Sequence, residues 1–133
     1  MTGRVLAPGS GSGRALVLRE PLSLWGGIDP ATGIVIDVRH PQRGESVAGR
    51  VLVMPAARGS SSSASVLAEA VRVGSAPAAI LLGEADLILA VGAAVAEELY
   101  GRSVPVVVLS SEALAGIADG AMLRVDGADV TVA

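Results

Sequence analysis

The chain of 133 residues predicts an α/β fold on mixed sheets, with a strand-rich first half and a second half alternating β-α-β-α-β. Three observations carry this. The runs "VLVM" (51–54), "AAILL" (78–82) and "VPVVVL" (104–109) have the length and apolar character of buried strands. Between them lie two segments with apolar residues at helical spacing. The first half has no such spacing and is punctuated by glycine and proline. The length suits one compact domain over 1–133, since domains commonly run about 100–150 residues.

In chain order, "RVLAPG" and "RALVLRE" read as short strands separated by a "GSGSG" turn at 9–13, and "GIVIDV" (33–38) as a further strand between turn signals. Asp29 and Asp37 suit turns, because their short carboxylates bond backbone amides two residues on. Trp25, between Leu24 and two glycines, reads as loop or core packing in preference to a docking anchor. The first helix sets Ala64, Leu67, Ala70 and Val71 on an inward face, turns Glu69 and Arg72 out, and ends at Gly74. The second is capped by Asp86, presents Ile88, Val91, Val95 and Leu99 as its apolar stripe, and stops at Gly101. Strands joined through helices pair in parallel with right-handed crossovers, whereas the first half adds antiparallel or mixed strands.

The totals exclude several classes of function. A net charge of -3, with ten scattered basic residues, offers no footprint for nucleic acid. The absence of cysteine removes disulfides, thiol chemistry and any thiolate-held cluster on this chain, and a single histidine argues against a self-contained zinc site. The stretch 86–100 is shorter than the ~20 residues that span a bilayer and carries three acids, so a cytoplasmic protein without membrane contact is expected. "GSGSG" lacks the spacing of a dinucleotide fingerprint.

The segment "ARGSSSSAS" (57–65) falls between a strand and a helix of one unit, which rules out an interdomain linker. Its plainest role is a helix N-terminus with Ser60 or Ser61 as the cap. Its place is also where parallel α/β units put their sites, outside the carboxyl ends of strands, where helix N-termini offer free amides to an anion. Arg58 adds a planar donor fork suited to carboxylate or phosphate. No lysine follows the glycine, so the segment is not a phosphate loop of the nucleotide-binding type. A helix dipole contributes about 0.3–1 kcal/mol and a pKa unit corresponds to about 1.4 kcal/mol. The helix alone therefore does not ionise a hydroxyl, and with no base nearby in sequence the segment reads as half a site.

The motifs "PLSLWGGIDPATG", "RHPQRGES", "RGSSSSAS" and "APAAILL", in this order and without large gaps, resemble the swivelling small subunit of aconitase X over roughly residues 3–110. Leu24 stands where that family has phenylalanine. The resemblance implies an aconitase-type swivelling β/β/α domain and a hydro-lyase active site shared with a large subunit that carries an iron or iron–sulfur centre. No cofactor or metal is then expected on this chain. It implies dehydration of a 3-hydroxy acid, cis-3-hydroxy-L-proline first and mevalonate 5-phosphate as the alternative. The serine after the motif glycine, here Ser60, is implied as the proton acceptor, with Ser61 next in line. The physical reading of the turn adds Arg58, Gly59, Ser61 and Ser62 as the expected substrate-binding residues, steadying the negative charge that develops on the substrate. His40 is a further acid/base candidate, or a hydrogen-bonded turn residue, or the phosphate-bearing histidine of a carrier domain. A non-catalytic lid is the remaining reading.

Overall fold

The computed structural model describes all residues 1–133. Its strands are β1 (Arg4–Ala7), β2 (Ser10–Val17), β3 (Val51–Met54), β4 (Ala79–Leu82), β5 (Val106–Val108), β6 (Met122–Asp126) and β7 (Asp129–Val132). The helices are α1 (Ser63–Val73), α2 (Leu87–Tyr100) and α3 (Ser111–Ala115). One 7-stranded curled sheet runs in the order β1-β5-β4-β3-β2-β6-β7. The β2-β3, β3-β4 and β4-β5 pairs are parallel, and β1, β6 and β7 pair antiparallel. The predicted mixed α/β architecture is therefore present, with the crossover helices between the expected strands.

Alternation along β3 and β4 explains why both faces are covered. Leu52, Met54, Ile80 and Leu82 point to one side, where Leu67 and Val71 of α1 and Leu89, Ala93 and Ala96 of α2 close over them. Val51, Val53, Ala79 and Leu81 point to the other, against Leu109, Ile117 and the hairpin residues Leu123, Val125 and Val130. Two apolar cores thus flank one sheet, and every residue of β3 and β4 is buried.

Four readings of the sequence are corrected. The "GSGSG" segment is strand, not turn: Ser10–Arg14 pairs with β6 before Ala15–Val17 pairs with β3. Glycine is required because a Cβ at Gly11 or Gly13 would collide with the carbonyl of Ala78 or Gly49. Residues 33–38 make only isolated bridges, Ile28 with Val35 and Ile34 with Ser46, and their loop is held by scattered backbone bonds such as Val35 amide to Glu45 carbonyl and Ile36 amide to Gly27 carbonyl, each 2.8 Å. Asp29 and Asp37 do shape its turns, accepting from the amides of Ala31 and Arg39 at 2.9 Å each. The stripe predicted to face inward from α2 is in the wrong phase: Leu89, Gly92, Ala93 and Ala96 are buried, while Val91, Val95 and Leu99 are exposed. The reason is the contact with α1, where a Cβ on Gly92 would sit 2.9 Å from the Ala64 carbonyl oxygen. Lastly, Trp25 is 59% exposed and packs in no core.

Candidate active site at the serine turn

After β3 the chain turns at Pro55 and runs beside Leu22, to which Ala57 bridges in parallel and whose carbonyl accepts from the Arg58 amide at 3.3 Å. Gly59 to Ser62 then lead into α1. The cap differs from expectation. Ser62 occupies the N-cap with φ -70 and ψ -14, already helical, and its side chain bonds no amide. Ser60 organises the turn: its carbonyl accepts from the Ser63 amide at 2.9 Å and its hydroxyl oxygen from the Ser62 amide at 3.3 Å. The amides of Gly59, Ser60, Ser61, Ala64 and Ser65 have no acceptor within the chain. This is the anion-receptive end of a helix of 11 residues.

The four serines separate by environment. Ser63 is buried, and its Oγ accepts from the Trp25 amide at 3.2 Å and lies 3.4 Å from Ser23 Oγ, which ties the tryptophan loop to the turn. Ser61 and Ser62 are exposed and Ser60 is half-buried. Ser60 and Arg58 line a pit with Asp86, Leu22 and Leu89, too narrow in this chain alone for a water molecule. Ser61 faces a separate groove shared with Leu87 and Val91. Gly59 is exposed, and a Cβ built there meets nothing within 4 Å, so its missing side chain serves no packing within the chain.

The structure thus brings Arg58, Gly59, Ser60, Ser61 and Ser62 onto one turn, and leaves His40 out of it. His40 is 7% exposed; its Nδ1 accepts from the Gln42 amide at 3.1 Å, so the proton sits on Nε2, which donates to the Glu20 carbonyl at 3.0 Å. Gln42 continues the clamp, accepting from the Arg19 amide and donating to the Val17 carbonyl at 2.8 Å each. With both ring nitrogens engaged, His40 has neither a free lone pair to take a phosphoryl group nor a path to the serines, and its role is to hold the loop against the end of β2. Sequence reasoning missed Ser63 and Asp86 as walls of the pit and Ser23 as the hydroxyl behind Ser63. The serine run signalled Ser63, but only burial distinguishes it from its neighbours.

A cavity of about 380 Å³ opens on the opposite face, between Met54, Pro55, Gly83 and Leu114. Its lining is mainly apolar, with Glu84 and Ser111 at its edge, and contains none of the serines of the turn. Nowhere do three His, Asp or Glu side chains converge to hold a metal ion. No helix is long and apolar enough to cross a membrane.

The sequence profile described as the aconitase X swivel domain matches residues 1–133. A cis-3-hydroxy-L-proline dehydratase of Pseudomonas aeruginosa is 53% identical over 106 residues, which are 80% of this chain and 18% of that protein. A phosphomevalonate dehydratase small subunit of Methanothermobacter thermautotrophicus is 41% identical over 119 residues, 90% of this chain and 86% of that one. The crystal structure of Thermococcus kodakaraensis aconitase X in its holo-form superimposes with a TM-score of 0.88 at 35% identity, covering 99% of this chain and 96% of that chain. The chain therefore spans less than a fifth of the first relative and nearly the whole of the second.

Proposed function

This chain belongs to the aconitase X swivel-domain family, and from that premise we propose that it is the small subunit of a heterodimeric hydro-lyase that dehydrates a 3-hydroxy acid. The favoured substrate is cis-3-hydroxy-L-proline, supported by the 53% identity to a dehydratase of that name. Mevalonate 5-phosphate is the second reading, supported by the match to small subunits of nearly the same length. The observation that carries the proposal is the uncommitted serine turn: a half-buried hydroxyl, a guanidinium and a set of unpartnered helix-terminal amides at the carboxyl edge of the parallel strands.

Dehydration of such an acid removes the proton beside its carboxylate while the 3-hydroxyl departs. Ser60 Oγ is assigned as the proton acceptor. The amides of Gly59 to Ser61 and the Arg58 guanidinium hold the carboxylate on which negative charge develops. The open space at Gly59 lets substrate approach the backbone. Asp86 lines the pit and caps α2 through Oδ1, but makes no hydrogen bond to Ser60, so activation of Ser60 is assigned to the large subunit. An iron or iron–sulfur centre does not fit this chain, which has no cysteine and no converging ligands; it too is assigned to the large subunit, and no step here passes through it.

The test is the complex purified with the large subunit, offered cis-3-hydroxy-L-proline and mevalonate 5-phosphate in parallel. Turnover of the first substrate alone supports the favoured reading, and turnover of the second alone replaces it. A Ser60→Ala complex is expected to lose about 10²–10⁴-fold in rate with KM little changed. Near-normal turnover overturns the assignment, and a loss confined to KM reassigns the turn to a lid.

A further inference from the structure

An exposed apolar stripe begins beside the serine turn. On α2, Leu87 is 70% exposed, Val91 54%, Val95 41% and Leu99 64%, at successive i, i+4 positions. They form a stripe about 18 Å long at 1.5 Å per residue. Beside it runs a furrow between the two helices. Its upper part, about 260 Å³, is shared by Ser61, Ala64, Leu87 and Val91, and its lower part, about 390 Å³, by Ala64, Ala68, Val95 and Tyr100. Contiguous exposure of this kind marks an interaction surface.

Charge selects the occupant. All charged residues of α2 and its leading turn are acidic: Glu84 and Asp86 at one end, Glu97 and Glu98 at the other. Two copies of the stripe pressed together set acid against acid, whether the helices run parallel or antiparallel. Two of the neighbouring cations are bonded within the chain, and the third belongs to the proposed site. Arg72 donates to Glu69 at 2.6 Å, Arg102 donates to the Val71 carbonyl at 3.1 Å, and Arg58 lines the substrate pit. A different chain, apolar at the centre and basic at its rim, fits where a second copy does not. It also lies beside Ser61, on the turn whose chemistry lacks its other half.

We infer that the α2 stripe and the α1–α2 furrow are the seat of the large subunit, which grips Leu87, Val91, Val95 and Leu99 through an apolar surface edged with lysine or arginine. The inference rests on the proposed shared active site, and it adds the surface through which the two chains assemble.

The experiment measures binding of the purified chain to the large subunit by titration calorimetry, with sedimentation of the chain alone. Leu87→Asp places an acid in the first turn of a helix, where it is tolerated, and Leu99→Gln changes an exposed position, so both variants are expected to keep the parent melting curve. Together they are expected to weaken binding by at least about tenfold, one to two buried leucines' worth of contact. Val132→Ser, at an exposed position on β7, is expected to bind as the parent does. Should the double variant melt early, Glu97→Lys with Glu98→Lys takes its place and is expected to slow association, most at low salt. Unchanged affinity in a folded α2 variant overturns the inference while leaving the Ser60 assignment standing. A dimer of the chain alone that α2 variants dissolve overturns it in favour of a second copy. A Ser60→Ala chain that binds normally without turnover supports both readings, and a parent chain that fails to bind any large subunit removes the shared site itself.

Discussion

Three strand-to-helix turns leave the same edge of the sheet, and only one of them withholds its cap. Asp86 accepts from the Leu89 amide at 2.9 Å and opens α2; Ser110 accepts from the Ala113 amide at 3.1 Å and opens α3. At α1, four consecutive serines are available and the N-cap residue, Ser62, bonds nothing with its side chain. Where the chain needs only a helix, the polar side chain is spent on the backbone. Where the proposed site lies, Ser60 Oγ accepts only one long bond, from the Ser62 amide at 3.3 Å, and the other exposed hydroxyls and most of the amides are left for something outside the chain.

The widest separation is expected between Ser60→Ala and Ser110→Ala. In the assembled enzyme the first should cut turnover to the extent given above while losing in stability at most the long 3.3 Å bond from the Ser62 amide, and the second should keep turnover while losing about 0.5–2 kcal/mol of stability, read by urea titration. Gly59→Ala comes next: the chain should fold as before, because a Cβ meets nothing, while KM for the carboxylate substrate rises, showing that the space belongs to the ligand. Asp86→Ala should cost about 1 kcal/mol as a lost cap, against a few tenths at most for Ser62→Ala; equal losses would erase the contrast. The smallest effect concerns the far turn of α1, where a hydrogen bond from Arg72 holds the Glu69 carboxyl below its usual range. A lowered carboxylate stabilises above its unfolded range and loses that contribution as pH falls through the folded value. Glu69→Gln should therefore narrow the stability difference between neutral and acid pH slightly, since the pair is exposed and screened.

The alternating half of the fold was legible because "VLVM", "AAILL" and "VVV" are uniformly apolar and the helices between them end on Gly74 and Gly101, both left-handed with φ 88 and 66. The Gly/Ser half of β2 was not, because its strand conformation comes from close backbone approach and pairing with β6 and not from propensity. The β6–β7 hairpin and α3 lie beyond residue 110, where the runs are short and broken by Gly and Asp, although Leu123, Val125 and Val130 show the alternation of a half-buried pair. On α2 the period was legible and the phase was not, since a helix of Ala, Val and Leu is apolar all round and only the tight contact with Ala64 picks the inner face. The serine motif pointed to the right turn. Burial alone distinguishes Ser63, which braces the Trp25 loop, from Ser60.

The contact of Gly92 with Ala64 sets the two helices backbone to backbone, with no side chain between them to act as a cushion. Ala64 lies four residues beyond Ser60. A shift of α2 therefore meets the α1 backbone directly at Ala64, about one helical turn from the serine hydroxyl.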